Sequence, residues 1–238
     1  MNYNEFENVF KEKEKEIELN IPDEKIDKLY KYMKSLLEWN EKINLTAITD
    51  ENEIIEKHFI DSLTILKYVE NNKKVIDVGT GAGFPGIPLA INCNSDITLL
   101  DSLNKRVKFL DEVKQQLGIT NIKNIHGRAE DVARQKQCRE MYDVAVSRAV
   151  APMNVLVEYL LPFVKIGGLC ICMKGPNTAE EVEIAENAIN LLGGKYIEKE
   201  NIKLDNGKIE RNIIIIQKVK STSNKYPRKA GMPTKQPL

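Results

Sequence analysis

The sequence predicts an α/β fold with a largely parallel sheet, a C-terminal antiparallel hairpin and an N-terminal helical extension. From residue 75 onward, short apolar runs alternate with helical patterns, as is typical of parallel strands joined by right-handed crossovers. Near the end of the chain, two consecutive strand patterns flank Asn206-Gly207, a dipeptide that strongly favours a tight hairpin turn. The first 70 residues carry helical periodicity and predict a separate helical layer.

The predicted extension comprises residues 1–70 and contains three helical segments. Charged residues alternate at helical spacing over residues 4–19. Pro22 suits the first position of a second helix, which ends near residue 40. Asp50 is a candidate N-cap for a third helix, because Glu53 follows three residues later and completes a capping-box pattern.

The predicted central domain comprises residues 71–219. Its strand candidates are residues 75–78, 97–101, 122–126, 143–148, 169–174, 196–204 and 212–219. Helical patterns cover residues 85–91, 105–117, 129–135, 153–164 and 179–192. With 238 residues and 42% apolar content, the chain is long enough to cover both faces of such a sheet with helices.

Composition narrows the class of protein. No apolar run approaches the roughly 20 residues that a membrane-spanning helix needs, and the N-terminus lacks the features of a signal peptide, so we expect a cytoplasmic protein. The four cysteines form no CxxC pair, which predicts buried thiols and no metal site. They are Cys93, Cys138, Cys170 and Cys172.

Charge is distributed unevenly along the chain, although the formal net charge is zero. Residues 1–72 carry 17 acidic and 10 basic side chains, whereas residues 218–238 carry six basic side chains and no acidic ones. A basic end of this kind predicts either a polyanionic partner or a solvated tail. We expect residues 220–238 to be mobile without that partner.

A glycine-rich loop follows the first predicted strand. Residues 77–83 read D-x-G-x-G-x-G, the form typical of class I S-adenosylmethionine-dependent methyltransferases with a Rossmann-like fold. Residues 81–86 also fit the dinucleotide pattern G-x-G-x-x-G, which leaves a nicotinamide-dependent dehydrogenase as an alternative. Pro85 offers no N–H where a pyrophosphate would need donors, which favours S-adenosylmethionine. The cofactor residues predicted from this loop are Gly79, Gly81 and Gly83.

Two further segments predict nucleoside binding. Asp101 ends the second predicted strand, where a carboxylate can accept hydrogen bonds from both ribose hydroxyls. Its alternative role is to cap the helix that begins near Asn104. After the third strand, Ala129 and Glu130 provide an edge at which an adenine can be hydrogen-bonded, with an ordinary helix start as the alternative.

The chain resembles the bacterial ribosomal RNA small-subunit methyltransferase G family, also called glucose-inhibited division protein B. Eight motifs carry the resemblance across nearly the whole length. They are EWNEKINLT (38–46), KHFIDSL (57–63), DVGTGAGFPGIPLAI (77–91), LLDSLNKRVKFL (99–110), RAED (128–131), SRAV (147–150), MKG (173–175) and RNIIII (211–216). Together these motifs are far more specific than the glycine loop alone.

The resemblance implies a reaction and its partners. It implies transfer of a methyl group from S-adenosylmethionine to N7 of one guanine in 16S ribosomal RNA, position 527 in the customary RNA numbering. Either the naked RNA or the small ribosomal subunit fits as the substrate. Guanine N7 has no proton to lose, so we expect no general base. The cofactor contacts that the resemblance implies are Gly79, Phe84, Ala129, Glu130 and Arg148.

Basic residues supply the candidates for RNA contact. Arg148 and Lys174 end neighbouring predicted strands at the edge where ligands of open α/β sheets gather. Arg211 and three residues of the basic tail, Lys225, Arg228 and Lys229, complete the set. The alternative for each strand-end residue is an ordinary ion pair with a neighbouring carboxylate.

The sequence alone does not decide the roles of Trp39 and His58 in the extension. It does not decide the oligomeric state either. We favour packing for Trp39 and a hydrogen-bonded structural role for His58, with stacking on RNA as the alternative for Trp39. The sequence carries no signal for self-association, so a monomer is the default expectation. A non-catalytic RNA-binding protein with a vestigial cofactor pocket is the third functional hypothesis.

Overall fold

One mixed sheet of seven strands organises the part of the chain that the computed structural model describes, residues 1–69, 72–176 and 178–238. The strands are β1 (Lys74–Val78), β2 (Asp96–Asp101), β3 (Ile122–His126), β4 (Tyr142–Arg148), β5 (Val164–Lys174), β6 (Gly194–Leu204) and β7 (Ile209–Lys218). In spatial order they are β3-β2-β1-β4-β5-β7-β6. The first five pair in parallel, and β7 runs antiparallel to both of its neighbours. The predicted fold class is confirmed.

Helices cover both faces of the sheet. Those before β1 are α1 (Tyr3–Lys13), α2 (Asp23–Ile43), α3 (Glu51–Ile54), a π-helical segment (Ile55–Ile60), α4 (Asp61–Leu63) and α5 (Leu66–Val69). Those after β1 are α6 (Gly86–Asn92), α7 (Asn104–Gln116), α8 (Ala129–Val132), α9 (Met153–Leu160), α10 (Ala179–Leu191) and α11 (Met232–Lys235). As the capping-box pattern predicts, the Asp50 side chain accepts a hydrogen bond from the amide of Glu53 at 2.9 Å.

Successive residues of each strand enter different cores, because side chains alternate across a sheet. Val75 belongs to the core shared with the N-terminal helices, α6 and α7, whereas Ile76 belongs to the core shared with α9 and α10. The N-terminal helices therefore form a layer on one face of the sheet. The predicted boundary between residues 70 and 71 lies outside the described residues, and the division into two domains stays a prediction.

Trp39 has the packing role that its position in the extension predicts. Its ring lies 5.6 Å from that of Phe109 on α7, and its indole N–H donates to Glu112 at 2.9 Å. The indole thus links the helical layer to the helix that follows β2.

Two predicted helices are interrupted. The segment from 153 to 164 ends as an α-helix at Leu160, because Pro162 has no amide to continue the helix, and Val164 already begins β5. The third helix of the extension changes to π-helical geometry over Ile55–Ile60. Such segments are rare in proteins and frequent at functional sites.

The basic tail is packed against the body of the protein, which differs from the mobile tail that we expected. Arg228 binds Glu158 of α9 through its guanidinium and its backbone amide, at 2.7 Å for both of the shortest contacts. Arg139 donates to the tail carbonyls of Thr222 and Tyr226 at 2.7 and 2.9 Å. Composition alone does not reveal these partners, because they come from distant parts of the chain.

Buried thiols and the absence of long apolar helices characterise the described residues. Cys138, Cys170 and Cys172 are buried, as expected, whereas Cys93 is only half-buried. The sulfurs of Cys170 and Cys172 are 3.8 Å apart on β5. Within the described ranges, no helix has the length and apolar character needed to cross a membrane.

Candidate active site

A cleft of about 860 Å³ opens at the carboxyl edge of the sheet. The strand order reverses at β1, which has β2 on one side and β4 on the other. Open α/β sheets bind ligands at the carboxyl ends of the strands where the order reverses in this way. The predicted residues that line the cleft are Gly79, Gly81, Phe84, Asp101, Ala129, Glu130, Arg148, Lys174 and Arg211. Gly83, Lys225, Arg228 and Lys229 do not line it.

The glycine loop turns directly into the cleft. Gly79 and Gly81 have φ angles of +73° and +62°, which favour glycine over other residues. A side chain at Gly81 would meet nothing closer than the Gly79 carbonyl oxygen at 4.0 Å, so this position faces open space. The loop therefore leaves room for a ligand to approach its backbone.

Gly83 has a packing role that the sequence pattern does not suggest. A β-carbon at this position would lie 2.4 Å from Ile87 and 2.8 Å from the hydroxyl of Tyr32. Tyr32 is fully buried in α2, and its hydroxyl donates to the carbonyl of Ala82. The absence of a side chain at Gly83 thus lets the helical layer hold the glycine loop, an effect that the loop motif alone does not show.

Asp101 binds the loop and begins the following helix at the same time. One carboxylate oxygen accepts hydrogen bonds from the amide of Gly81 at 2.9 Å and from Arg106 at 3.3 Å. The other oxygen accepts the amide of Leu103 at 2.8 Å, just before α7. The capping alternative therefore describes one of its contacts, and the carboxylate still lines the cleft.

Asp77 lies beneath the loop as a fully buried carboxyl group. Its Oδ2 accepts hydrogen bonds from the Thr80 hydroxyl at 2.6 Å and the Gly86 amide at 2.8 Å. Burial raises the pKa of Asp77 to about 6, against these two hydrogen bonds, which lower it. Among the residues that the structure describes, its Oδ1 has no hydrogen-bond partner.

Arg148, at the end of β4, is held by the helical extension. Its Nη1 donates to the Lys57 carbonyl at 3.0 Å and to Asp61 at 2.8 Å, and its Nη2 donates to Nδ1 of His58 at 3.1 Å. The guanidinium carbon lies 5.1 Å from the centre of the Phe84 ring. The extension therefore supplies three hydrogen-bond acceptors to an arginine that belongs to the sheet.

Asp61 is shared between two arginines. It is 1% exposed, and its second oxygen accepts a hydrogen bond from Nε of Arg211 at 3.0 Å. Arg211 lies on β7, so this carboxylate joins the extension to two different strands. Sequence reasoning gave Asp61 no role of its own. Its spacing of three residues from His58 on a helix was the available signal, since residues so spaced lie on one face.

His58 is neutral and tightly constrained. Its ring stacks on Phe84 with the centroids 4.4 Å apart, and its Nε2 lies 2.9 Å from the Thr46 hydroxyl. Burial, together with the charge of Arg148, lowers the pKa of His58 to about 3. The structural role favoured for His58 agrees with these contacts, and the ring also lines the cleft.

The neutral state of His58 predicts a loss of stability in acid. The unfolded chain binds a proton near pH 6.5 and the folded chain only near pH 3, so stability falls as pH decreases between these values. Relative to a His58→Gln variant, the wild type is expected to lose about 1.4 kcal/mol per pH unit below 6.5. Urea unfolding from pH 7 to 4 measures this difference.

Comparison with the variant is needed because Asp77 titrates in the opposite sense. Its pKa is raised to about 6, so protonation of Asp77 below that pH favours the folded state. Both proteins retain Asp77, and its effect cancels in the difference. If the difference in unfolding free energy between the two proteins did not change with pH, the pKa of His58 would not be lowered in the folded state.

The C-terminal tail closes one side of the cleft at Glu130. The amide of Gly231 donates to Oε1 of Glu130 at 3.0 Å, and the Thr234 hydroxyl lies 3.0 Å from that of Tyr159 on α9. Gly231 and Thr234 line the cleft beside Ala129. No local pattern in the sequence indicates these contacts, which depend on how the tail folds back.

The remaining predicted cations have protein partners or lie on the surface. Lys174 binds Glu181 at 2.6 Å and the Ala151 carbonyl at 2.9 Å, so the ion-pair alternative describes its contacts, although it also lines the cleft. Lys225 and Lys229 are exposed outside the cleft. Of the three tail residues predicted to contact RNA, Lys225 and Lys229 are therefore accessible to a polyanionic partner, whereas Arg228 is paired with Glu158.

The cleft suits S-adenosylmethionine, the cofactor that the sequence predicts. Gly81 leaves the open space that a closely approaching ligand needs, and Asp101 presents a carboxylate in the same wall, where a ribose can be hydrogen-bonded. Asp77 lies beneath them, fully buried, and supports the loop through its hydrogen bonds with Thr80 and Gly86. Gly79, Gly81, Asp101 and Glu130 are the residues that would hold the cofactor.

Sequence comparison gives matches along almost the entire chain. Residues 25–214 match the family described as rRNA small subunit methyltransferase G. The chain is 52% identical over 226 residues to the ribosomal RNA small subunit methyltransferase G of Alkaliphilus metalliredigens, covering 94% of this chain and 95% of that protein. It is 50% identical over 237 residues to the protein of the same name from Alkaliphilus oremlandii, covering 98% and 99%.

Solved structures share the fold at much lower identity. A SAM-dependent methyltransferase from Aquifex aeolicus has a TM-score of 0.53 and 17% identity, covering 71% of this chain and 94% of that one. TYW2 of M. jannaschii in complex with AdoMet has a TM-score of 0.53 and 18% identity, covering 68% and 76%. At these identities the likeness concerns the fold alone, and the sheet is of the class I methyltransferase type.

Proposed function

The chain belongs to the rRNA small subunit methyltransferase G family, and from this premise we propose that it methylates N7 of one guanine in 16S ribosomal RNA. The position proposed is 527 in the customary RNA numbering, with S-adenosylmethionine as the cofactor. As partner we propose the small ribosomal subunit or its RNA, and as location the cytoplasm, where that partner is assembled. Family membership excludes the nicotinamide-dependent dehydrogenase.

One observation carries the proposal: a single cleft holds the glycine loop with Asp101 and also the linked arginines 148 and 211. The first group suits a nucleoside cofactor, and the second suits the phosphates or the acceptor edge of a nucleobase. A guanidinium has five N–H groups, and the contacts of Arg148 to the extension use three of them. Two remain for a ligand.

The chemistry requires orientation rather than proton transfer. When bound, S-adenosylmethionine supplies a methyl group on a positively charged sulfur. Guanine N7 carries a lone pair and no proton, so no side chain has to act as a general base. The residues of the cleft therefore contribute by holding the base and excluding water, and alignment alone can supply a large part of a rate enhancement.

Mapping the methylated base tests the proposal. Small subunits or 16S RNA that lack the modification are incubated with the protein and S-adenosylmethionine, and nuclease fragments are analysed by mass spectrometry. We expect one added methyl group on guanine 527 and none elsewhere. Methylation at another base or atom would contradict the proposal. RNA binding with no methyl transfer would instead favour the non-catalytic RNA-binding protein.

Asp101 is expected to contribute directly to cofactor affinity. Asp101→Ala should weaken S-adenosylmethionine binding by about 1–3 kcal/mol, because the ribose hydroxyls lose their charged acceptor. Isothermal titration calorimetry measures the change. Asp96→Ala is a matched control, since Asp96 is exposed at the opposite end of β2. Equal affinities for the two variants would remove Asp101 from the cofactor site.

A further inference from the structure

The tautomer of His58 is determined by Arg148. A guanidinium only donates hydrogen bonds, and Nη2 of Arg148 lies 3.1 Å from Nδ1 of His58, so Nδ1 must be the acceptor. The ring is neutral because burial lowers its pKa to about 3, so its single N–H is on Nε2. His58 therefore donates from Nε2 to the Thr46 hydroxyl oxygen, 2.9 Å away.

The hydroxyl of Thr46 is thereby restricted to donation. Its oxygen accepts from His58 and also from the amide of Ile48, at 3.1 Å. A hydroxyl has two lone pairs and one hydrogen, so both acceptor positions are occupied. Within the described residues, no acceptor takes the remaining hydrogen, and Thr46 lines the cleft. Most threonines can either donate or accept, but this one presents only a donor.

We propose that the Thr46 hydroxyl donates a hydrogen bond to O6 of the target guanine and thereby selects guanine over adenine. This inference rests on the proposed guanine N7 activity. Guanine presents two acceptors, N7 and O6, on its major-groove edge, whereas adenine presents an amino donor in place of O6. Because N7 must keep its lone pair for the methyl group, O6 is the acceptor beside it that the protein can read.

The contacts around Thr46 explain why the donor is rigid. The Thr46 amide donates to the Asn40 side chain at 2.8 Å, and this contact fixes the backbone that carries the hydroxyl. His58 is itself held between Phe84 and Arg148. An adenine amino group would meet a hydroxyl that cannot turn to accept from it. Desolvating two opposed donors disfavours adenine, which gives the site a repulsive as well as an attractive element.

The test compares Thr46→Val with Thr46→Ser on two RNA substrates. One carries guanine at the target position, and the other carries 2-aminopurine, which keeps N7 but lacks O6. Thr49→Val is the matched control, because Thr49 is exposed in the same loop and does not line the cleft. Methylation kinetics are measured with both RNAs, and S-adenosylmethionine binding is measured by calorimetry. Thermal unfolding verifies that each variant is folded.

The expected result is a loss of discrimination. The wild type should prefer guanine over 2-aminopurine by about 10- to 100-fold in kcat/KM, as expected when a donor that the bound base shields from water loses its partner. Thr46→Val should lose most of that preference while its cofactor affinity is unchanged, and Thr46→Ser should retain the preference.

Other outcomes overturn the assignment. A Thr46→Val enzyme that is slower on both RNAs by the same factor would give Thr46 a structural role only. A selective loss of cofactor affinity would place the hydroxyl on the cofactor. Either result leaves the guanine N7 activity of the wild type intact. Failure of the wild type to methylate guanine N7 would instead overturn the proposed function, and the O6 contact with it.

Discussion

Replacing Arg228 with alanine is expected to lower the free energy of unfolding by about 3–5 kcal/mol, a very large effect for a residue in a basic tail. The reason is its partner. Glu158 is 0% exposed, and Arg228 binds both of its oxygens at 2.7 to 3.2 Å. Without the guanidinium, a buried carboxylate would lose its countercharge. Urea unfolding at pH 7 measures the loss.

The neighbouring residue provides the control for this prediction. Lys229→Ala removes the same charge from the tail at an exposed position, and its unfolding free energy should change by less than about 0.5 kcal/mol. A double variant, Arg228→Met with Glu158→Leu, should recover stability because no buried charge remains. If Arg228→Ala were as stable as Lys229→Ala, the ion pair would not anchor the tail.

Replacing Arg148 with alanine is expected to reduce kcat/KM for RNA methylation by about 10²- to 10³-fold. Comparable losses follow when one preorganised donor is removed from an enclosed reaction site. Arg148 orients His58, neutralises part of the Asp61 charge and lies over Phe84, so its loss disturbs three neighbours at once. Initial rates with labelled S-adenosylmethionine and unmodified 16S RNA measure the effect.

Arg148→Lys separates charge from geometry. A lysine ammonium keeps the positive charge but cannot donate in the planar, forked arrangement that reaches both Asp61 and His58. We therefore expect the kcat/KM of Arg148→Lys for RNA methylation to be lower than that of the wild type by about tenfold or more. Lys165→Ala is the control for general charge loss, since Lys165 pairs with Asp143 outside the cleft. If Arg148→Lys had the same kcat/KM as the wild type, the positive charge of Arg148 alone would account for its role.

The helical extension emerges as a part of the site. It contributes Thr46, His58 and Asp61 to the cleft, and Tyr32 supports the glycine loop from below. The π-helical segment Ile55–Ile60 contains the Lys57 carbonyl that receives Arg148. Substitutions in this layer are therefore expected to affect the reaction even where they are far along the sequence from the cofactor loop.

Local sequence signals predicted the sheet well, and they also predicted which side chains come together at its carboxyl edge. Strand β3 has the predicted bounds, and Asp101 and Arg148 lie where the ends of their strands were expected to meet. These predictions succeed because alternation of apolar residues and glycine spacing are properties of short segments. Helix ends were less accurate where local geometry changes, as at Pro162 and in the π-helical segment.

Local patterns along the chain are sufficient to predict the α/β class, the hairpin, the glycine loop and, through the motifs, the family. The folded arrangement was needed to show that Gly83 packs against Tyr32, that Arg228 anchors the tail and that the His58 tautomer makes Thr46 a donor. The two groups of features differ in the range of the interactions behind them. Periodicity and turn preference act within a few residues, whereas the partner of a buried charge or polar group is fixed only when distant segments meet.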